Sequence, residues 1–437
     1  MSSLVLLIGT NPLPNYVVAE YLLSKQIDDP INEIWLVHSE KRGEQAGTKK
    51  TADRLKEVVS ERYSGNISFN YCSLSAIGDA KAIEGDVKEK LLKYAEDGNV
   101  HLNYTGGTKA MSVHVYRTIE KSDKFKKKVF SYLDAREFCL KDDEEEIVSD
   151  DDLREEVFIS LQDLAKLHGY EKKREGKSCY WLDTLEEFKK LIDQSQLSEF
   201  LEWKNGVIRK LYYEKGNFIE SSNKIRERLN KEKNLFNNHL FKDTVLPLLQ
   251  AFPKEHSILD ETGEFLWIPD ENTSKKYQDR VKPAVTEFLD GKWLENYVLM
   301  ILKGKIAEEF SGKDIPIESN WELRKPGGKE FELDVIVMNG YQVCGISCTT
   351  DRKEDLCKLK GFEVWHRVNQ IGGEEARAVL ATCLTHNHIE RGDQVEILEE
   401  DLRYETGSEG KKFIVLGIED LKEEMLWKKI KKHIWRR

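Results

Sequence analysis

Asn103-Tyr104-Thr105-Gly106-Gly107-Thr108-Lys109-Ala110-Met111 follows the apolar run Val100–Leu102. It opens an apolar-periodic segment of Met111, Val113, Val115 and Ile119. The order predicts strand, glycine turn, helix. Two glycines allow close backbone approach to a ligand, and a helix N-terminus offers free N–H groups to an anion. Thr105, Thr108 and Lys109 add two hydroxyls and a positive charge at the same spot, which suits a phosphate. A tight turn with an ordinary helix cap is the competing reading.

A second turn stands in the equivalent place near the N-terminus. The strand-like run Leu4–Ile8 leads through Gly9-Thr10-Asn11-Pro12-Leu13-Pro14 into the helical pattern Val17, Val18, Tyr21, Leu22. Ligands of open parallel sheets bind beyond the carboxyl ends of the strands, so the two turns are expected to share one crevice. His38-Ser39 ends the second strand and is expected at the same edge. Neither turn is GxGxxG or GxxxxGK[ST], which excludes a dinucleotide fingerprint and a P-loop.

The chain has 437 residues, enough for two or three domains, with a net charge of −11 and 34% charged residues. An acidic total argues against bulk nucleic-acid binding but leaves room for a local basic groove. Abundant Lys and Glu with few prolines resemble the composition of a heat-tolerant protein. Seven cysteines, at 72, 139, 179, 344, 348, 357 and 383, form no CxxC pair, and small core residues are the expected role of all seven. No apolar run approaches the roughly 20 residues of a membrane span. The opening MSSLVLLIGT reads as the first strand rather than a secretion signal. The expected location is therefore cytoplasmic.

Strand-like runs at Leu4–Ile8, Glu33–Val37, Ile67–Tyr71, Val100–Tyr104 and Lys128–Leu133 alternate with helical patterns such as Val87–Ala95. That alternation predicts a parallel, doubly wound α/β sheet. The acidic run from Lys141 to Asp152 is expected to be a solvated boundary. Residues 151–285 read as a helical, highly charged connector that assists dimerisation, with stripes such as Phe158, Leu161, Leu164 and Leu167. A winged-helix module is conceivable there, although no recognition helix stands out. From 286 a helix containing Trp293-Leu294-Glu295 precedes strands Glu318–Leu323 and Glu332–Val337. The hairpin turn Asn339-Gly340, a return strand Gln342–Cys348, a helix Lys353–Gln370, Gly372-Gly373 and a buried strand Val379–Leu384 follow.

Asp334 is an acid in a strand otherwise made of Leu333, Val335, Ile336 and Val337, where it costs free energy unless paired or metal-bound. Alternation puts it on the face opposite Leu333 and Val335. A solvent-facing hairpin aspartate is the alternative. Glu295 adds a second acid on the preceding helix, and two such carboxylates suit Mg²⁺ or Mn²⁺.

Residues 1 to about 137, with Gly9-Thr10-Asn11 and the Asn103–Met111 motif, resemble a CARF domain, the sensor of cyclic oligoadenylates in type III CRISPR defence. Residues from about 286, with Glu295, Glu332-Leu333-Asp334, Ile346-Ser347-Cys348 and Gly372-Gly373, resemble a PD-(D/E)XK, restriction-endonuclease-like domain. The resemblance implies a Rossmann-like sensor at 1–150, the connector at 151–285 and a nuclease domain at 286–437. It implies a homodimer with no membrane association, activated by a cyclic oligoadenylate, with cyclic tetra-adenylate the expected ring, and cutting DNA and/or RNA. Ligand contacts are then expected from Gly9, Thr10, Asn11, His38, Ser39, Thr105, Gly106, Gly107, Thr108 and Lys109. Metal ligands are expected from Glu295 and Asp334. Whether the sensor also cleaves its ligand stays open.

The chain departs from the nuclease pattern at one place. The usual return strand carries Glu-x-Lys, where this chain has Ser347-Cys348-Thr349. One explanation moves the missing groups to Lys360 and Glu363, which share a helix face off the apolar stripe Leu356, Leu359, Phe362 and Trp365. The other is a degenerate domain in a ligand-gated nucleic-acid-binding or regulatory protein.

Overall fold

The computed structural model describes residues 2–25, 30–63, 67–143, 152–173, 180–231, 239–268, 274–325, 327–328, 330–408 and 412–435. Cys179, Pro326, Lys329 and 144–151 of the acidic run lie outside the described residues.

The N-terminal sheet runs in the order β3-β2-β1-β4-β5-β6. Its strands are β1 (Ser2–Leu7), β2 (Ile31–Ser39), β3 (Ser68–Leu74), β4 (Asn99–Asn103), β5 (Lys127–Asp134) and β6 (Cys139–Asp142). All adjacent pairs are parallel except β5–β6. Helices α1 (Leu13–Ser24) and α2 (Lys49–Arg62) share a core with Leu4, Leu6 and Ile8. Helices α3 (Ala80–Val87) and α4 (Lys109–Glu120) share another with Val5 and Leu7. Alternate side chains of β1 thus feed two cores, the signature of a doubly wound sheet.

Two local expectations need correction here. The helical pattern placed at Val87–Ala95 starts earlier, because the Asp79 side chain caps Lys81 and Ala82. It ends in a π-turn over Lys88–Leu92. Lys141-Asp142 is not merely solvated boundary. These residues pair with Tyr132 and Ser131 as the antiparallel edge strand, and Lys141 also bridges Asp134 and Glu137.

The chain then leads through α5 (Leu161–Leu167) to β7 (Glu171–Lys172), which becomes an edge of the C-terminal sheet. Ser160 caps α5, so Phe158 falls outside the helix and is exposed rather than part of a stripe with Leu161 and Leu164. Its carbonyl instead accepts hydrogen bonds from Tyr16 and Arg62.

The middle region contains α6 (Leu182–Asp193), α7 (Leu197–Trp203), α8 (Arg209–Tyr212), the small hairpin β8 (Tyr213–Glu214) and β9 (Asn217–Phe218), α9 (Ser222–Lys231), α10 (Leu246–Gln250) and α11 (Ser274–Lys282). A π-helical stretch over Pro283–Lys292 joins α11 to α12 (Trp293–Glu309), so one helical run crosses position 285 without a break. The rings of Phe188 and Trp293 stack with centroids 4.3 Å apart, which fixes the start of α12 against α6.

The C-terminal sheet has the order β14-β13-β12-β11-β10-β7. It contains β10 (Ile317–Arg324), β11 (Glu330–Asn339), β12 (Gln342–Cys348), β13 (Arg377–Ala381) and β14 (Phe413–Leu416). The helices are α13 (Glu354–Gly372), α14 (Gln394–Thr406) and α15 (Glu423–Ile434). Helix α12 packs in one core with the middle region, and α13 packs in the core that also holds α1, α2 and α5. The two sheets are therefore joined by shared apolar packing.

The buried face of α13 is Cys357, Gly361, Val364, Val368 and Ile371. The expected stripe is displaced from it. Leu356 is 41% and Leu359 64% exposed, while Phe362 and Trp365 are only partly buried. Gly361 lets α14 come close, because a Cβ there would lie 2.6 Å from Leu402.

The N-terminal glycine turn is fixed sterically. A Cβ on Gly106 would lie 2.0 Å from the Leu7 carbonyl oxygen, whereas one on Gly85 of α3 would meet open space. Gly106→Ala should therefore destabilise the protein by more than about 2 kcal/mol. Gly85→Ala should stabilise it by about 0.4–1 kcal/mol by reducing unfolded-chain freedom. Scanning calorimetry of the pair checks both signs.

Candidate functional site

The two N-terminal turns abut at the carboxyl edge of the sheet. A Cβ on Gly9 would be 3.2 Å from the Gly107 amide nitrogen. Gly107 has φ +77, a backbone that favours glycine. Below them the buried Asn15 amide donates to the Leu7 carbonyl, and its own Oδ1 is left without a partner.

The side chains of this edge divide by task. Thr108 caps α4 through Met111 N, and the Thr105 hydroxyl accepts from Leu133 N at 2.7 Å. Asn103 accepts from Thr105 N and donates to Ser131, which ties the turn to β5. The Ser39 hydroxyl accepts from Thr48 N, and the buried His38 ring packs edge-on against Tyr71. Thr10 and Lys109 are exposed, at the tip of the first turn and the start of α4. Asn11 faces elsewhere. Its Oδ1 accepts from Leu13 N, and its Nδ2 lies 2.6 Å from where a Gly373 Cβ would stand. The first glycine turn therefore touches the end of α13 in the C-terminal unit.

A second cleft is lined by Glu295, Glu332, Leu333, Asp334, Ser347, Cys348, Lys360, Glu363, Val364 and Arg367. It brings Glu295, Asp334, Lys360 and Glu363 together from α12, β11 and α13. Asp334 accepts from the Ser347 hydroxyl at 2.9 Å and from Cys348 N at 2.7 Å. The residue found at the expected Glu position thus holds Asp334 in place. Glu295 is buried, and its Oε2 lies 2.7 Å from Lys292 Nζ. Burial and the nearby Asp334 carboxylate push the Glu295 carboxyl up to about 7, against the opposing pull of Lys292.

The β10–β11 ladder is interrupted at the cleft. Ser319 pairs with Val335 and Trp321 with Leu333, but Asn320 and Asp334 between them are unpaired. Asn320 has φ +49, a left-handed backbone that asparagine tolerates better than most residues. Both strands change faces here. Phe331 and Leu333 lie in the core of α13, whereas Val335 and Val337 lie in the core of α12. Simple alternation, which put Leu333 and Val335 on one face, fails at this kink.

Three contributors escaped the sequence reading, Lys292, Asn320 and Arg367, and Glu332 entered it only as part of the Glu332-Leu333-Asp334 motif. Arg367 donates to the Glu332 carbonyl and to the Glu363 carboxylate, and Lys360 Nζ lies 3.2 Å from the other Glu363 oxygen. The i,i+3 spacing of Lys292 and Glu295 was a usable signal; the approach of Asn320 to Lys292 had none.

Among the described residues no three acid, histidine or cysteine side chains converge on one point as a metal cage. Glu295 and Asp334 nonetheless offer hard oxygen donors to one cleft, with Glu295 Oε2 engaged by Lys292 and Asp334 Oδ2 by Ser347 and Cys348 N. That set fits Mg²⁺ or Mn²⁺, which accept one or two carboxylates and complete their shell with water. Six cysteines are buried free thiols. Among the described residues no helix is long and apolar enough to cross a membrane.

Residues 3–163 match the family model described as the Card1 CARF domain. No curated protein matches the chain. A solved structure of Can2 from Sulfobacillus thermosulfidooxidans in complex with cyclic tetra-adenylate is similar over 98% of this chain and 96% of that one. The TM-score is 0.57 and the identity 15%. A structure of a type III CRISPR defence DNA nuclease activated by cyclic oligoadenylate covers 88% of this chain and 45% of that one, at TM-score 0.44 and 14% identity. The first likeness is one of fold, and β1–β6 carry the CARF arrangement.

The raised Glu295 carboxyl has a pH signature. A carboxyl whose folded value exceeds its unfolded one costs stability as pH rises from its ordinary value of 4.5 through about 7. In metal-free protein, Glu295→Gln should raise Tm at pH 8 and change it little at pH 5. A Tm gain of equal size at both values would contradict this environment for Glu295.

Proposed function

We propose that the protein is a cyclic oligoadenylate-activated, metal-dependent nuclease of type III CRISPR antiviral defence, with cyclic tetra-adenylate as activator. The observation that carries the reading is the C-terminal cleft, which gathers Glu295 and Asp334 beside Lys360, Glu363 and Arg367. The CARF match of residues 3–163 supports the ligand class. The Can2 complex with cyclic tetra-adenylate shares the fold across both units, which suggests the ring size.

In this reading the ligand lies across the edge formed by Gly9, Thr10, Gly106, Gly107, Thr108 and Lys109. Backbone N–H groups and the Lys109 ammonium face its phosphates. His38 and Ser39 border the crevice from β2, and Thr105 holds the turn in shape. A two-fold ring suits a two-fold dimer, in which each protomer supplies the same contacts. In the cleft, Glu295 and Asp334 would hold Mg²⁺ or Mn²⁺, which supplies Lewis acidity toward a DNA or RNA phosphodiester. Ser347 and Cys348 N orient Asp334, and Lys360 and Arg367 set the position of Glu363.

A second reading has its own support. Ser347 and Thr349 stand where the nuclease pattern carries an acid and a lysine, which favours a ligand-gated nucleic-acid binder with a degenerate site. If so, Ser347→Glu with Thr349→Lys should create cleavage that the native protein lacks.

Three measurements test the first reading. Calorimetric titration with cyclic tetra-adenylate should show Lys109→Ala weakened roughly tenfold or more, from loss of a charge-assisted contact worth about 1.5–3 kcal/mol. Asp334→Ala should bind the ring as the native protein does, yet cut neither supercoiled DNA nor labelled RNA with Mn²⁺. Solution scattering should give a dimer with and without ligand; a monomer in both would remove the two-fold pocket.

A further inference from the structure

The nuclease pattern calls for a lysine at Thr349, and the helix candidate Lys360 is half exposed and paired with Glu363. A different lysine approaches the two acids. Lys292 ends the π-helical stretch before α12, three residues ahead of Glu295. Its Nζ lies 2.7 Å from Glu295 Oε2 and also donates to Asn320 Oδ1. Asn320 is the left-handed residue opposite Asp334, at the break in the β10–β11 ladder. A non-glycine residue in that conformation costs of order 1–3 kcal/mol and persists where the surroundings demand it. Here the demand is visible, because the kink turns the Asn320 amide toward the lysine.

We propose that Lys292, aimed by Asn320, carries the positive charge that the return strand lacks and positions Glu295 beside Asp334. The assignment rests on the nuclease reading above. Lys292 acts through Glu295 and is a positioning residue. Lys360 and Arg367 serve Glu363 on the opposite wall of the cleft. The spacing has a local logic: with i,i+3 geometry one helical turn carries both the acid and its cation. The middle region contributes indirectly, because the stacking of Phe188 on Trp293 holds that turn.

Two experiments decide it. In metal-free full-length protein, Lys292→Ala should lower Tm, and adding Glu295→Gln should restore it. Lys360→Ala and Glu295→Gln should be additive. Strict additivity of the Lys292 and Glu295 changes overturns the contact. In single-turnover cleavage with Mn²⁺, cyclic tetra-adenylate and saturating nucleic acid, Lys292→Ala should slow cutting roughly 100-fold, the order that misplacement of an active-site group costs. Lys292→Arg should recover most of the rate. Asn320→Gly, which keeps the backbone and loses the amide, should be slow as well. A native protein that cuts while Lys292→Ala cuts equally fast overturns the proposal. A native protein inert with every metal overturns the nuclease reading and the catalytic half of this assignment, while the calorimetric cycle still judges the Lys292–Glu295 contact.

Discussion

The C-terminal unit turns on one break in a β-ladder. Between Ser319–Val335 and Trp321–Leu333, the pair Asn320 and Asp334 makes no ladder contact, and both strands change faces there. A strand that keeps strict alternation offers its polar residue to one side only. At the break, Asp334 meets β12 through Ser347 and Cys348 N and faces Glu295 of α12, while α13 closes the cleft with Lys360, Glu363 and Arg367. Helices belonging to two different cores thus contribute to one polar cleft.

The cleft is electrostatically self-contained. Glu295 is answered by Lys292, and Glu363 is held between Lys360 and Arg367. A buried carboxylate without such partners would protonate rather than remain charged. The rise of Glu295 to about 7 shows that the compensation there is partial. Burial and the neighbouring Asp334 charge both disfavour the ionised form, so the charged cleft lowers stability.

Much of this architecture was legible in the chain. Strand-like runs alternating with helical patterns located the five parallel strands of the first sheet; β1 is a nearly continuous apolar run, as buried parallel strands are, whereas β3 and β4 are mixed. Asp334 was visible as an acid in an otherwise apolar strand, and Glu295 as a second acid on the preceding helix. What escaped depends on tertiary contact. Leu356 and Leu359 imitate a buried stripe on α13, but Cys357 and Gly361 lie on the buried face, and Gly361 is small enough for Leu402 of α14 to approach. Asn320 reads as an ordinary polar strand residue until its backbone conformation is known. Asn11 stands after Gly9, where a ligand contact is expected, and its Oδ1 also accepts from Leu13 N while its Nδ2 lies beside Gly373, a tertiary neighbour that the sequence does not announce.

The contact between Asn11 and Gly373 bears on modularity. Gly373 has φ +67, and any side chain there would strike the Asn11 amide. Around it, Leu4, Leu6 and Ile8 of the first sheet share a core with Ile336, Val343 and Val368 of the second. The N-terminal unit is therefore not a freely exchangeable cassette. Transplanted onto another C-terminal unit, it would need a recipient that covers the apolar face of α1 and α2 and offers a bare backbone opposite Asn11. Shuffling of these two units is therefore constrained to partners that already carry a glycine at the end of that helix.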